Sequence, residues 1–144
     1  MNAQQMWKAY ARKNRIRAPY TAWAYGSASD ELAKLTFDGV KTATASAYPL
    51  YAIDEEPLPQ VGEYSVILDS QDEAVCIIQC TKVSIVPFRK VTEEHAYKEG
   101  EGDRSLAYWR QVHQEIFTQW LQEVGLKFTL NTEVVCEEFT RVYP

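Results

Sequence analysis

The 144 residues carry 15 Lys and Arg against 20 Asp and Glu, a net charge of -5, with 46% hydrophobic and 12% aromatic residues. This length predicts one compact domain that buries roughly two-thirds of the surface its unfolded chain exposes. The sequence has no repeat, no low-complexity tract and no apolar run of about 18 residues, which argues against fibrous, disordered and membrane-spanning classes, and its acidic balance argues against a protein that coats nucleic acid indiscriminately.

The charge is unevenly spread. No acid precedes Asp30, whereas Lys8, Arg12, Lys13, Arg15 and Arg17 crowd the start. They form either a solvated helix face or a phosphate-contacting patch beside a pocket. Residues 1–22 read as a basic helix and linker ahead of a body spanning 23–144. Asn2 caps the helix, Met6, Trp7, Tyr10 and Ala11 form its apolar stripe, and it ends by Pro19. The opening "MNAQQMWKAYARKNR" lacks the apolar core of a signal peptide, so the cytoplasm is the expected location.

"SASDELAKLTFDG" predicts a second helix with serine caps and with Gly39 as its left-handed stop. "KTATAS" is expected to follow directly as strand. Pro57 and Pro59 mark a loop before "VGEYSVILD", a strand by its alternation, and "SQDE" turns it into the β-branched run "AVCIIQCTKVSIV" to make a hairpin. Within that run Cys76 and Cys80 fall on one face; with Cys136 they read as buried reduced thiols, odd in number and without metal-ligand spacing. "VTEEHAYKEGEGD" predicts a short helix ending at Gly100. Leu106, Trp109, Val112, Ile116, Phe117, Trp120, Leu121 and Val124 repeat at three and four, a long helix from Asp103 or Ser105 to Gly125. "KFTLNTEVVCEEFTRVY" closes the chain as strand, bent or turned near Asn131. Strands and helices do not alternate as βαβ units, so the expected class is α+β: a small curled sheet or barrel with helices packed around it.

Three groups of residues could carry chemistry. After Gly39 turns the chain, Lys41 stands at the mouth of a strand whose alternation sends Thr42, Thr44 and Ser46 to one face. A lysine in a partly desolvated pocket can act as general base for a hydroxyl, and threonine is a weak nucleophile without such help. A surface lysine before an ordinary Thr-rich strand would look the same. In "KEGEGDRS", Glu99, Glu101, Asp103 and Arg104 surround two glycines that let backbone approach a ligand closely; a helix stop followed by an Asp cap is the plainer alternative. Trp23, Tyr25, Trp109 and His113 form the third group, the last two one helical turn apart. Two histidines in the whole chain do not make a histidine-rich metal site, and no P-loop or dinucleotide signature is present, so neither metal nor cofactor is expected.

"GVKTATAS" resembles the Gly-x-Lys-x-x-Thr motif of the ASCH family. "DELAKLTFDGVKTATAS", "EEPLPQVGEYSVILDSQDEAVCIIQCTKVSIVPF" and "HAYKEGEGDRSLAYWRQVH" look like its larger bacterial branch, a likeness running from about Trp23 to Tyr143. The resemblance implies a PUA-like fold, a β-barrel with surrounding helices, and a small nucleoside-like ligand or single-stranded RNA as partner. A smaller relative is a 4-acetylcytidine amidohydrolase working through a lysine, a threonine and a glutamate. The motif carries the first two to Lys41 and Thr44; a Thr-Glu-x-His-Ala-x-x-Glu run, here Thr92 to Glu99, carries the third to Glu99. Ser46 departs from the arginine of the short relatives. Another relative of the larger branch is described as a ribonuclease, so amide hydrolysis, RNA cleavage and simple binding remain three readings. If a site exists, Lys41, Thr44, Glu99 and Glu101 should converge on one cleft rimmed by Trp23, Tyr25, Arg104 and Trp109. That requires Lys41 to belong to the turn after Gly39. The oligomeric state is left open.

Overall fold

A computed structural model describes residues 1–144. Five helices and five strands follow in the order α1 (Ala3–Asn14), β1 (Tyr20–Ala24), α2 (Ser29–Phe37), β2 (Ala43–Ala47), α3 (Pro49–Ile53), β3 (Tyr64–Leu68), β4 (Ala74–Pro87), α4 (Glu93–Glu99), α5 (Leu106–Glu123) and β5 (Glu133–Tyr143). The strands make one sheet in the order β1-β3-β4-β5-β2. β1 and β3 run parallel, and every other pair is antiparallel. The long β4 pairs with β3 through its first half and with β5 along most of its length, and register shifts at Ile77/Ile78 and Cys80/Lys82 bend the ladder. The result is an α+β half-barrel with surrounding helices, as the sequence predicts, left open between the edge strands β1 and β2.

Three buried clusters fill it. α5 lays Trp109, Phe117 and Leu121 against Ala47, Val134 and Cys136, and burying Phe117 or Leu121 stabilises the fold by about 1.5–3 kcal/mol each. Tyr25, Ala33, Ile67, Cys76, Ile78 and Phe139 form a second cluster, where α2 packs on β3 and β4. α1 covers Val66 and Ile77 with Met6, Trp7 and Tyr10. All three thiols are buried, and burial pushes each up to about 12, so they remain neutral thiols. No helix is long and apolar enough to cross a membrane.

Several elements differ from expectation. β1 was not anticipated; its five residues carry one half-buried tryptophan among small and hydroxyl side chains, too weak an alternation to read alone. α2 has no serine cap. Ala28 holds its cap position at φ 47 without a side-chain bond, while first-turn Asp30 accepts from the backbone and hydroxyl of Ser70 in the β3–β4 turn. α3, started by Pro49 at its N-terminus, was also missed. Residues 127–132 precede the last strand, with the expected turn at Leu130 and Asn131, and β2 begins at Ala43, two residues after Lys41.

Candidate functional site

Two turns build the site. Gly39, at φ 77, ends α2, and the amides of Val40 and Lys41 both donate to the Leu35 carbonyl at 3.0 Å. Gly100, at φ 74, ends α4, and a Cβ there would lie 2.7 Å from the Val40 carbonyl oxygen and 3.1 Å from the Lys41 Cα. Only glycine satisfies both the left-handed backbone and this close approach. The Thr42 amide then donates to the Lys98 carbonyl at 2.7 Å, which fastens the turn to the end of α4 before β2 joins the sheet. Lys41 thus belongs to the turn, and its side chain lies beside Glu99.

Lys41 and Glu99 are both 1% exposed. The Lys41 Nζ lies 3.2 Å from Glu99 Oε1, 2.9 Å from Glu101 Oε2 and 3.4 Å from the Glu99 carbonyl oxygen. Three acceptors therefore match the three donors of an ammonium. The Tyr25 ring, with its centroid 5.3 Å from Nζ, closes the remaining side. The other Glu99 oxygen, Oε2, accepts from the Trp109 indole N–H and lies 2.8 Å from His95 Nε2. Burial alone would raise this carboxyl, but the Lys41 charge, the His95 bond and His113 together hold it well below the usual carboxylate range. Burial pushes the Tyr25 phenol up, opposed by its 2.8 Å bond to Thr36 Oγ1.

A cavity of about 180 Å³ opens over this cluster, walled by Tyr25, Glu31, Lys41, Thr44, Glu99, Glu101, Tyr108, His113 and Trp120 among others. A larger one, about 360 Å³, lies on the other side of Trp120 and contains neither lysine nor histidine. The buried ion pair and the hydroxyl of Thr44 make the smaller cavity the better candidate for chemistry.

Of the residues singled out from sequence, Tyr25, Lys41, Thr44, Glu99, Glu101 and His113 share this cleft. Trp109 stands behind it, 2% exposed and stacked on His113 at 4.2 Å. Trp23 packs edge-on against Tyr25 at 5.0 Å without lining the cleft. Thr42 is spent on the Lys98 carbonyl. Ser46 lines the larger cavity, its hydroxyl 2.6 Å from that of Tyr51. Asp103 accepts from the Ser105 amide in the turn before α5. Arg104 lines neither cavity; its guanidinium lies 3.6 Å above the Tyr97 ring and donates to the Tyr97 and Val40 carbonyls. None of the five N-terminal cations lines either cavity.

His95, Glu31, Tyr108 and Trp120 join the site without being marked as site residues by the sequence motifs. His95 carried a usable signal, since it precedes Glu99 by four positions on one helix and so shares its face. No group of three or more His, Cys, Asp or Glu side chains is disposed to hold a metal ion.

The ASCH domain model matches residues 21–143. Among solved structures, an ASCH domain from Lactobacillus crispatus JV V101 is 30% identical over 98% of this chain and 94% of that one, with a TM-score of 0.92. A protein from Enterococcus faecalis V583 is 34% identical over 99% of this chain and 88% of its own, with a TM-score of 0.88. A hypothetical protein at 11% identity and a TM-score of 0.56, covering 85% of this chain and 97% of that one, shares the fold alone. No curated protein matches the sequence.

Proposed function

The chain belongs to the ASCH domain family, and from that membership we propose that it hydrolyses the amide of an N-acylated cytidine. The supporting observation is that Lys41 and Thr44, given by the family motif, open on the same small cavity as Glu99, whose carboxylate lies 3.2 Å from the lysine nitrogen. In this reading Lys41 passes a proton to Glu101, the more solvent-reached of its two carboxylate partners at 20% side-chain exposure against 2% for Glu99. The resulting amine takes the Thr44 proton as the Thr44 oxygen attacks the acyl carbon, then returns it to the leaving base nitrogen. Glu99, held by Trp109 and His95, keeps Lys41 in position. Tyr25, Tyr108 and Trp120 supply aromatic surface for a base.

A second reading is favoured by the full set of acceptors around Lys41: the ion pair is structural, and the cleft binds a nucleoside or an RNA end without chemistry. Incubation with 4-acetylcytidine and with single-stranded RNA separates the two. The hydrolase reading expects cytidine release by the parent and its loss in Lys41→Met, Thr44→Ala and Glu99→Gln, each costing nearly as much as the triple change. Binding without turnover of either substrate would leave the binding module, and RNA cleavage that survives Thr44→Ala would instead indicate a ribonuclease. Binding that weakens steeply with salt marks phosphate contacts, whereas a nucleoside should hardly respond.

A further inference from the structure

Attack by Thr44 on an amide leaves an acyl ester on the protein, and the acylation step gives no role to His113. This side chain projects from the middle of α5 into the cleft that contains Thr44. Its Nδ1 lies 2.9 Å from the Trp109 carbonyl oxygen. A carbonyl only accepts, so Nδ1 carries a hydrogen, and in the neutral ring Nε2 is the basic nitrogen. That nitrogen is 3.7 Å from Glu99 Oε1, the same oxygen that receives Lys41. Two acceptors then face each other with no proton between them. A proton arriving at Nε2 would meet a buried carboxylate, and the imidazolium would lie on the Trp109 ring, stacked at 4.2 Å and 15°.

Resting on the amidohydrolase reading, we propose that His113 is the general base of the second half-reaction, the hydrolysis of the acyl-Thr44 ester. Water's oxygen bonds to the acyl carbon as one of its protons passes to His113 Nε2. The tetrahedral adduct then expels the Thr44 oxygen, which takes that proton back, so the ring ends neutral and the acyl group leaves as a carboxylic acid. The titratable groups around this exchange are Tyr25 before α2, Glu31 on α2, Lys41 before β2, His95 and Glu99 on α4, Glu101 in the loop after it and Tyr108 on α5.

The test is intact-mass measurement during turnover of 4-acetylcytidine by the parent, His113→Asn, His113→Gln and His113→Asn/Thr44→Ala, with thermal unfolding of each. Asn keeps a donor for the Trp109 carbonyl, and Gln reaches toward the Nε2 position. The expected result is that a folded single variant releases cytidine once and retains one acyl group, its ester hydrolysis slowed about 10²- to 10⁴-fold and without the pH dependence of the parent. The double variant should gain no acyl mass. A folded variant that turns over at the parental rate, or is slowed without retaining acyl mass, overturns the role of His113 while leaving the amidohydrolase reading intact. Unfolding of both single variants overturns the proposal in favour of a structural role. A parent that releases no cytidine overturns both readings together.

Discussion

The aromatic clusters under α1 and under α5 serve different ends. Under α1, Trp7 stacks on Tyr20 at 4.9 Å and tilts against Tyr64 at 5.2 Å, while Tyr10 meets Tyr143 at 5.7 Å. Rings there pack on rings and on Val66 and Ile77. Under α5, Trp109, His95 and His113 gather around a carboxylate instead, and the indole of Trp109 donates to it. The first cluster is apolar area removed from water. The second holds a charge fixed, so its polar atoms must all find partners, and no buried side-chain nitrogen or oxygen in the molecule is left without one.

Substitutions of similar cost in the two clusters sharpen the contrast. Trp7→Ala should lower stability by about 3–5 kcal/mol through cavity formation, and Lys41→Met by about 3–5 kcal/mol because it strands a buried carboxylate. Urea unfolding measures both. Only Lys41→Met should also abolish the proposed amide hydrolysis in the surviving folded protein; equal loss of specific activity in Trp7→Ala would erase the distinction.

The pH dependence of stability has opposite signs at two buried carboxyls. Glu99 titrates lower in the folded protein than its ordinary value of 4.5, so its contribution is complete above that value and is lost as pH falls from there through the folded pKa. Stability measured downward from pH 5 should therefore fall in the parent and in Trp7→Ala, and fall less in Glu99→Gln. Glu137 on β5 behaves oppositely. Burial raises its carboxyl, opposed by Cys80 and assisted by Glu63, so its contribution is present below the ordinary value and lost as pH rises through the folded one. Glu137→Gln should raise stability at neutral pH relative to the parent, and a lowered unfolding midpoint there would contradict this.

The smallest effect is expected at Ser46, whose hydroxyl meets Tyr51 in the other cavity. Ser46→Ala should cost about 0.5–1.5 kcal/mol and leave turnover in the cleft unchanged. A substantial change in KM would mean that the two cavities act as one.

The legible parts of the sequence were those with local causes. α5 follows from its three-and-four apolar repeat, and the stops at Gly39 and Gly100 from the left-handed backbone each turn needs. The nearness of Lys41 to Glu99 has no local cause, since 58 residues separate them; only family resemblance joined them. β1 stayed hidden because its identity as a strand comes from pairing with β3, and α2 lacks its serine cap because the helix starts at Ser29, which leaves Ala28 in the cap position. Arg104 was misjudged as part of the rim because its placement depends on Tyr97, seven positions back. Ser46 was placed with Thr44 by strand alternation, but the neighbour that claims it sits on a helix the sequence did not announce.

The bare backbone contact between Gly100 and Val40 also bears on the order of assembly. Closing so long a loop is slow and entropically unfavourable, so Lys41 and Glu99 are expected to meet after β3 and β4 have paired. A collapsed chain with α4 displaced by one turn would enclose one charge without the other, at a cost of several kcal/mol. The missing side chain at Gly100 thereby ties the ion pair to one register of α4 against the turn after α2.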